Sequence, residues 1–84
     1  MKDFDKIIWR NALTFVDFFA VWCGTCRAMT PVIDRFQKQM NGRADVYRMD
    51  IEDPDLLEIV RRYNIVSVPT LMFFRRGEVL WRES

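Results

Sequence analysis

Histidine is absent from this chain, and cysteine occurs only twice. Structural zinc and iron–sulfur centres usually take four ligands, largely from these two residue types. A metal site here would need a second chain or carboxylates, so no metal is expected. No stretch approaches the ~18 consecutive apolar residues of a membrane-spanning helix. Neither sign of charge dominates, since 13 basic and 12 acidic residues leave a net +1. They are scattered along the chain, which gives no footing for nucleic acid or an anionic membrane surface. Repeats, low-complexity tracts and linkers are also missing, and the 84 residues read as a single domain, 1–84. A chain of this length buries only roughly 60–65% of its unfolded surface. Half of its residues are apolar, however, enough for a compact core.

What the chain does have is Trp22-Cys23-Gly24-Thr25-Cys26, where an apolar strand gives way to a helical pattern. Two residues between the cysteines let both sulfurs occupy the first turn of a helix. Free backbone N–H groups and the positive end of the helix dipole favour a thiolate there. The thiolate is the form that attacks a disulfide. Ligand count favours this redox reading over a metal site. A purely structural bridge would close so short a loop that it would constrain little of the unfolded chain.

The run from Ala12 to Val21 could pass for the core of a secretion signal. It carries Asp17 at its centre, lacks a basic segment directly before it, and leads into the cysteine pair rather than a cleavage site. It reads as a strand. The expected compartment is therefore the cytoplasm, where a cysteine pair tends to be redox-active. An exported protein that has lost its signal is the alternative.

Phe4, Ile7 and Ile8 follow helical spacing and predict a short helix ending near Asn11. Leu13 to Phe19 is apolar on both faces, as in a strand covered on both sides. Met29, Val32, Ile33, Phe36 and Met40 predict the buried stripe of a second helix, bent at Pro31 and stopped by Asn41-Gly42. Ala44 to Asp50 is a second strand. Asp53-Pro54 opens a helix through Tyr63, with Leu56, Leu57, Val60 and Tyr63 on its buried side. Thr70 to Phe74 and Glu78 to Trp81 make a hairpin around Arg75-Arg76-Gly77. The expected fold is α/β, a mixed sheet with two parallel strands and a C-terminal antiparallel hairpin. The cysteines then lie beyond the carboxyl end of the first strand, where open α/β sheets place their sites. Strand alternation puts Asp17 on a face with Leu13, Phe15 and Phe19, a poor place for an idle charge.

Val16-Asp17-Phe18, the WCGTC motif, Pro31 five residues after Cys26, Val68-Pro69-Thr70 and the Gly77-Glu78 turn occur in an order that resembles the thioredoxin family. The resemblance runs from about Thr14 to Glu83 and implies a thioredoxin-like three-layer sandwich. It implies that Cys23 attacks a substrate disulfide and that Cys26 resolves the mixed disulfide. It makes Pro69 a cis-proline beside the cysteines. Trp22, Gly24, Thr25, Val68 and Pro69 then border the substrate, whose extended segment pairs with the backbone before the proline. Asp17 matches the family's buried carboxylate, raised in pKa by burial and suited to exchange a proton with Cys26. Arg48 stands where a lysine is frequent, and its permanent charge should oppose that rise.

The implied activity is thiol–disulfide oxidoreduction on protein disulfides. The implied cofactor need is nil, since the Cys23–Cys26 disulfide is itself the redox group. A separate reductase or a small thiol would recycle it. Thr25 replaces the proline of WCGPC and frees one N–H near the sulfurs, which predicts a less reducing couple and leaves an isomerase or oxidant open. A peptide-binding or chaperone-like module is the reading from a different class. The resemblance also implies a chain truncated at the C-terminus, lacking the usual last helix, and lacking an N-terminal strand. The expected outcomes are a shortened chain, a dimer through the sheet face left uncovered, or a marginally stable monomer.

Overall fold

The computed structural model describes residues 2–84. They form α1 (Lys2–Ile8), β1 (Leu13–Phe19), α2 (Gly24–Met40) and β2 (Ala44–Asp50). A 3-10 turn (Pro54–Leu56) then runs into α3 (Leu57–Arg62), followed by β3 (Thr70–Arg75) and β4 (Glu78–Glu83). The four strands lie in the order β2-β1-β3-β4. β1 and β2 pair in parallel from Leu13↔Ala44 to Phe19↔Asp50. β1–β3 and β3–β4 are antiparallel. The mixed α/β sheet is the one the sequence predicts.

Alternation along β1 sorts its side chains between two layers. Val16 and Phe18 join Phe4 and Ile8 of α1, Leu56, Ile59, Met72 and Phe74 in the larger core. On the other face Phe15 packs against Phe36 of α2 and Phe73 of β3, with ring centroids 5.1 and 4.9 Å away. Trp81 extends this row at 5.8 Å from Phe73 and is 44% exposed. Two helices therefore cover one side of the sheet and α2 alone covers the other, completing three layers.

Several boundaries and phases differ from expectation, each for a physical reason. α1 stops at Ile8 instead of near Asn11, because the carbonyls of Ile8 and Arg10 accept from the N–H groups of Gly77 and Arg76 in the hairpin turn. Leu57 is exposed rather than buried, and Ile59 takes its place. The stripe is Leu56, Ile59, Val60 and Tyr63, a true i, i+3, i+4, i+7 set, and Leu57 sits about 100° off it. Val32 is exposed for the same reason, while Ile33 is buried on α2. β4 runs two residues past Trp81, with a register shift opposite Phe73 and Phe74 that leaves Leu80 unpaired. α2 continues through Pro31 and ends at Asn41 in the left-handed region, followed by Gly42 with φ +85°. Arg76 and Gly77 both have positive φ, the pattern of a type I′ hairpin turn.

Candidate active site

The end of β1 delivers the chain to the cysteines through a tight turn in which Cys23 N–H donates to the Ala20 carbonyl at 3.1 Å. Cys23 is the N-cap residue of α2, in extended backbone, and its Sγ accepts from Cys26 N–H at 3.1 Å. The two sulfurs are joined as a disulfide, with the Cα atoms 5.2 Å apart. Cys23 is 7% exposed and Cys26 2%. The donor to Cys23 is the N–H of Cys26, which a proline at position 25 would leave in place. The effect expected of Thr25 through its own N–H is therefore not seen as a bond to sulfur among the described residues. Gly24 and Thr25 are exposed, and a Cβ at Gly24 would meet nothing within 4 Å.

Across from the pair, the Val68–Pro69 peptide bond is cis, and the Val68 carbonyl oxygen lies 3.8 Å from Cys23 Sγ. This loop is held at both ends. Ile65 is buried and its N–H donates to the Val60 carbonyl, while the buried Thr70 hydroxyl donates to the Ser67 carbonyl at 2.8 Å. Trp22, beside Cys23, is 63% exposed and stays out of the core. Val21, just before it, and Val66, in the loop that leads to Pro69, are exposed apolar residues as well.

Asp17 is 1% exposed, and neither of its carboxylate oxygens has a hydrogen-bond partner. Its register partner on β2 is Arg48, whose Nε stands 3.4 Å from Oδ2. Burial pushes the Asp17 carboxyl above its ordinary pKa, and the Arg48 charge opposes part of that rise. The same guanidinium donates through Nη2 to the Thr30 hydroxyl at 2.7 Å and lies over the Phe19 ring. A cavity of about 330 Å³ lies between Arg48 and Cys26, with Phe19, Arg27 and Thr30 also on its walls. Arg27 donates to the Val21 carbonyl at 2.8 Å, tying the loop to α2. Among the described residues no cluster of side chains could hold a metal ion.

Sequence reasoning therefore named Cys23, Cys26, Asp17, Arg48, Val68 and Pro69, and the fold brings them to one end of the sheet. It missed Thr30. The available signal was its position four residues after Cys26, on the same side of α2.

A mixed sheet with a cysteine pair opening a helix and a cis-proline facing it defines a thioredoxin-like protein. The Thioredoxin family model matches residues 1–83. Thioredoxin-1 of Saccharomyces cerevisiae is 34% identical over 77 residues, covering 92% of this chain and 72% of that protein. Thioredoxin of Rickettsia felis is 45% identical over 64 residues, covering 75% of this chain and 58% of its own length. Among solved structures, Plasmodium falciparum thioredoxin superposes with a TM-score of 0.88 at 30% identity, covering 99% of this chain and 78% of that one. Trypanosoma brucei brucei thioredoxin gives a TM-score of 0.91 at 24% identity, over 100% and 72% of the two chains, a likeness of fold. The chain belongs to the thioredoxin family.

Proposed function

We propose that this protein is a thiol–disulfide oxidoreductase that reduces or exchanges protein disulfides through Cys23 and Cys26. The observation that carries the reading is the Cys23–Cys26 disulfide at the start of α2, facing the cis Val68–Pro69 bond.

In the reduced protein the Cys23 thiolate attacks one sulfur of a substrate disulfide. The substrate S–S bond breaks, a Cys23–substrate bond forms, and the departing substrate thiolate takes a proton. Cys26 then gives up its proton and attacks Cys23 Sγ, which closes the Cys23–Cys26 bond and releases the second substrate thiolate. Two electrons pass from the cysteine pair to the substrate; the Cys26 proton leaves through Asp17, and the two released substrate thiolates take their protons from water. Asp17 is the base we assign to the Cys26 proton, because its raised pKa brings it closer to that of a thiol. Arg48 tempers that basicity. The exposed apolar residues Val21, Trp22 and Val66 suit an extended apolar segment of a client, aligned along the backbone of Val68.

No bound cofactor is required, since a separate reductase or a small thiol returns the two electrons. Such recycling suits a reducing compartment, and the cytoplasm is the one we propose.

The test is direct. Cys23→Ser abolishes reduction of a protein disulfide, because no thiolate remains to start the exchange. Cys26→Ser stalls at the mixed disulfide, which accumulates and is visible by non-reducing electrophoresis. Unchanged client processing by Cys23→Ser would replace the enzyme with a peptide-binding module.

A further inference from the structure

Thr30 lies one helical turn beyond Cys26 on α2, and its hydroxyl is 2.7 Å from Arg48 Nη2. Arg48 carries its donors in one rigid plane, so fixing Nη2 also fixes the direction of Nε. That Nε stands 3.4 Å from Asp17 Oδ2, an ion-pair contact that makes no hydrogen bond. The Arg48 side chain is 32% exposed and Asp17 only 1%, so the cation has solvent to swing into and the carboxylate does not. Among the described residues, the guanidinium's side-chain hydrogen bond goes to α2 and none goes to β2 itself. The restraints come from the Phe19 ring, 5.7 Å away, and from the Thr30 hydroxyl.

We propose that Thr30 is a positioning residue. It holds Arg48 against Asp17 and thereby sets proton exchange on the Cys26 side of the disulfide. The proposal deepens the dithiol-exchange reading and rests on it.

Other groups facing Asp17 leave Arg48 in charge of its electrostatics. From β2 the register partner is Arg48, and from β3 it is the uncharged Leu71. From α2, Cys26 and Arg27 line the cavity that Thr30 and Arg48 also wall, and Arg27 is turned to the Val21 carbonyl. With the hydroxyl removed, hydration draws the guanidinium outward, and the charge that opposes Asp17's burial recedes. Its carboxyl then titrates at higher pH, and the acid limb of the reduction profile moves up with it.

The experiment follows the Asp17 carboxyl by carbon NMR across pH in the oxidised full chain, alongside the pH profile of protein-disulfide reduction. Thr30→Val keeps the branched shape and removes the acceptor, and its Asp17 titration should move upward. Thr30→Ala should repeat the shift if valine disturbs packing, and Thr30→Ser should restore the original titration. Arg48→Met should also move Asp17 upward, and adding Thr30→Val to it should change nothing further, since neighbours in one network are not additive. An unmoved titration in both Thr30→Val and Thr30→Ala overturns the proposal, as does a shift of equal size when Arg48 is already gone. The NMR reading needs no turnover. A wild-type protein inactive on disulfides whose Asp17 still responds to Thr30 would keep the positioning and remove the oxidoreductase reading.

Discussion

Asp17 and Asp5 are two carboxylates whose environments pull stability in opposite directions with pH. Burial raises the folded pKa of Asp17 above 3.8, so the native state holds its proton more tightly than the unfolded chain does. Its contribution to stability therefore falls as pH rises from about that ordinary value through the folded one. Asp5 bonds to Arg62 and its pKa is lowered, so its contribution is present above 3.8 and is lost as pH falls through the folded value. Asp17→Asn is the informative variant. At pH 7 it replaces a buried charge, paired only at 3.4 Å with Arg48, by a neutral amide of the same shape, and urea denaturation should show a gain in stability. Below the window the difference should shrink, because the wild-type carboxyl is then neutral too. A variant less stable at pH 7 would mean that the Arg48 pair outweighs desolvation. If Asp17 serves Cys26 as a base, the stabilised variant also reduces disulfides more slowly.

The hairpin and α1 are locked together by an interaction between elements far apart in sequence. Gly77 has φ +80°, and a Cβ there would lie 2.5 Å from the Trp9 ring. Its N–H and that of Arg76 donate to α1-end carbonyls at 2.8 and 3.0 Å. Gly77→Ala should cost about 1–2 kcal/mol from the left-handed backbone alone, with the collision adding to it. In a Trp9→Ala background the collision part disappears and the remaining cost should approach the backbone figure, which paired urea titrations measure. The strands β1, β2 and the turn at Arg75–Gly77 were legible in sequence, because apolar runs bounded by breakers carry their own limits. So were Cys23, Cys26 and the cis bond at Pro69, which belong to one recurrent motif order. Leu57 and Val32 were misread because adjacent apolar residues leave helix phase ambiguous until a partner face is known. Trp9 over Gly77 could not be read at all, and Thr30 offered only its spacing from Cys26, which does not reveal Arg48 as its partner. Each contact depends on which elements the sheet order brings side by side.

The molecule separates its tasks along the sheet. At one end the α1–hairpin latch closes the Thr14↔Phe74 edge of the β1–β3 pair, and at the other the Phe18↔Thr70 edge carries the cysteines and the cis-proline. The larger core lies under α1 and α3, while the α2 side rests on the row of Phe15, Phe36, Phe73 and Trp81. The site thus draws on residues 17–30, 48 and 65–70, and no single element carries it. Its central claim is that Cys23 and Cys26 form a reversible redox couple in the folded protein. The measurement that tests it most directly is an equilibrium titration against reduced and oxidised glutathione, with thiol trapping to count free cysteines at each point. The account predicts a single transition between no free thiols and two per chain, fully reversible, with a two-electron slope of about 30 mV per tenfold change in the equilibrium ratio. A pair that stays disulfide-bonded or stays free across the whole range, or that never returns once oxidised, would contradict it.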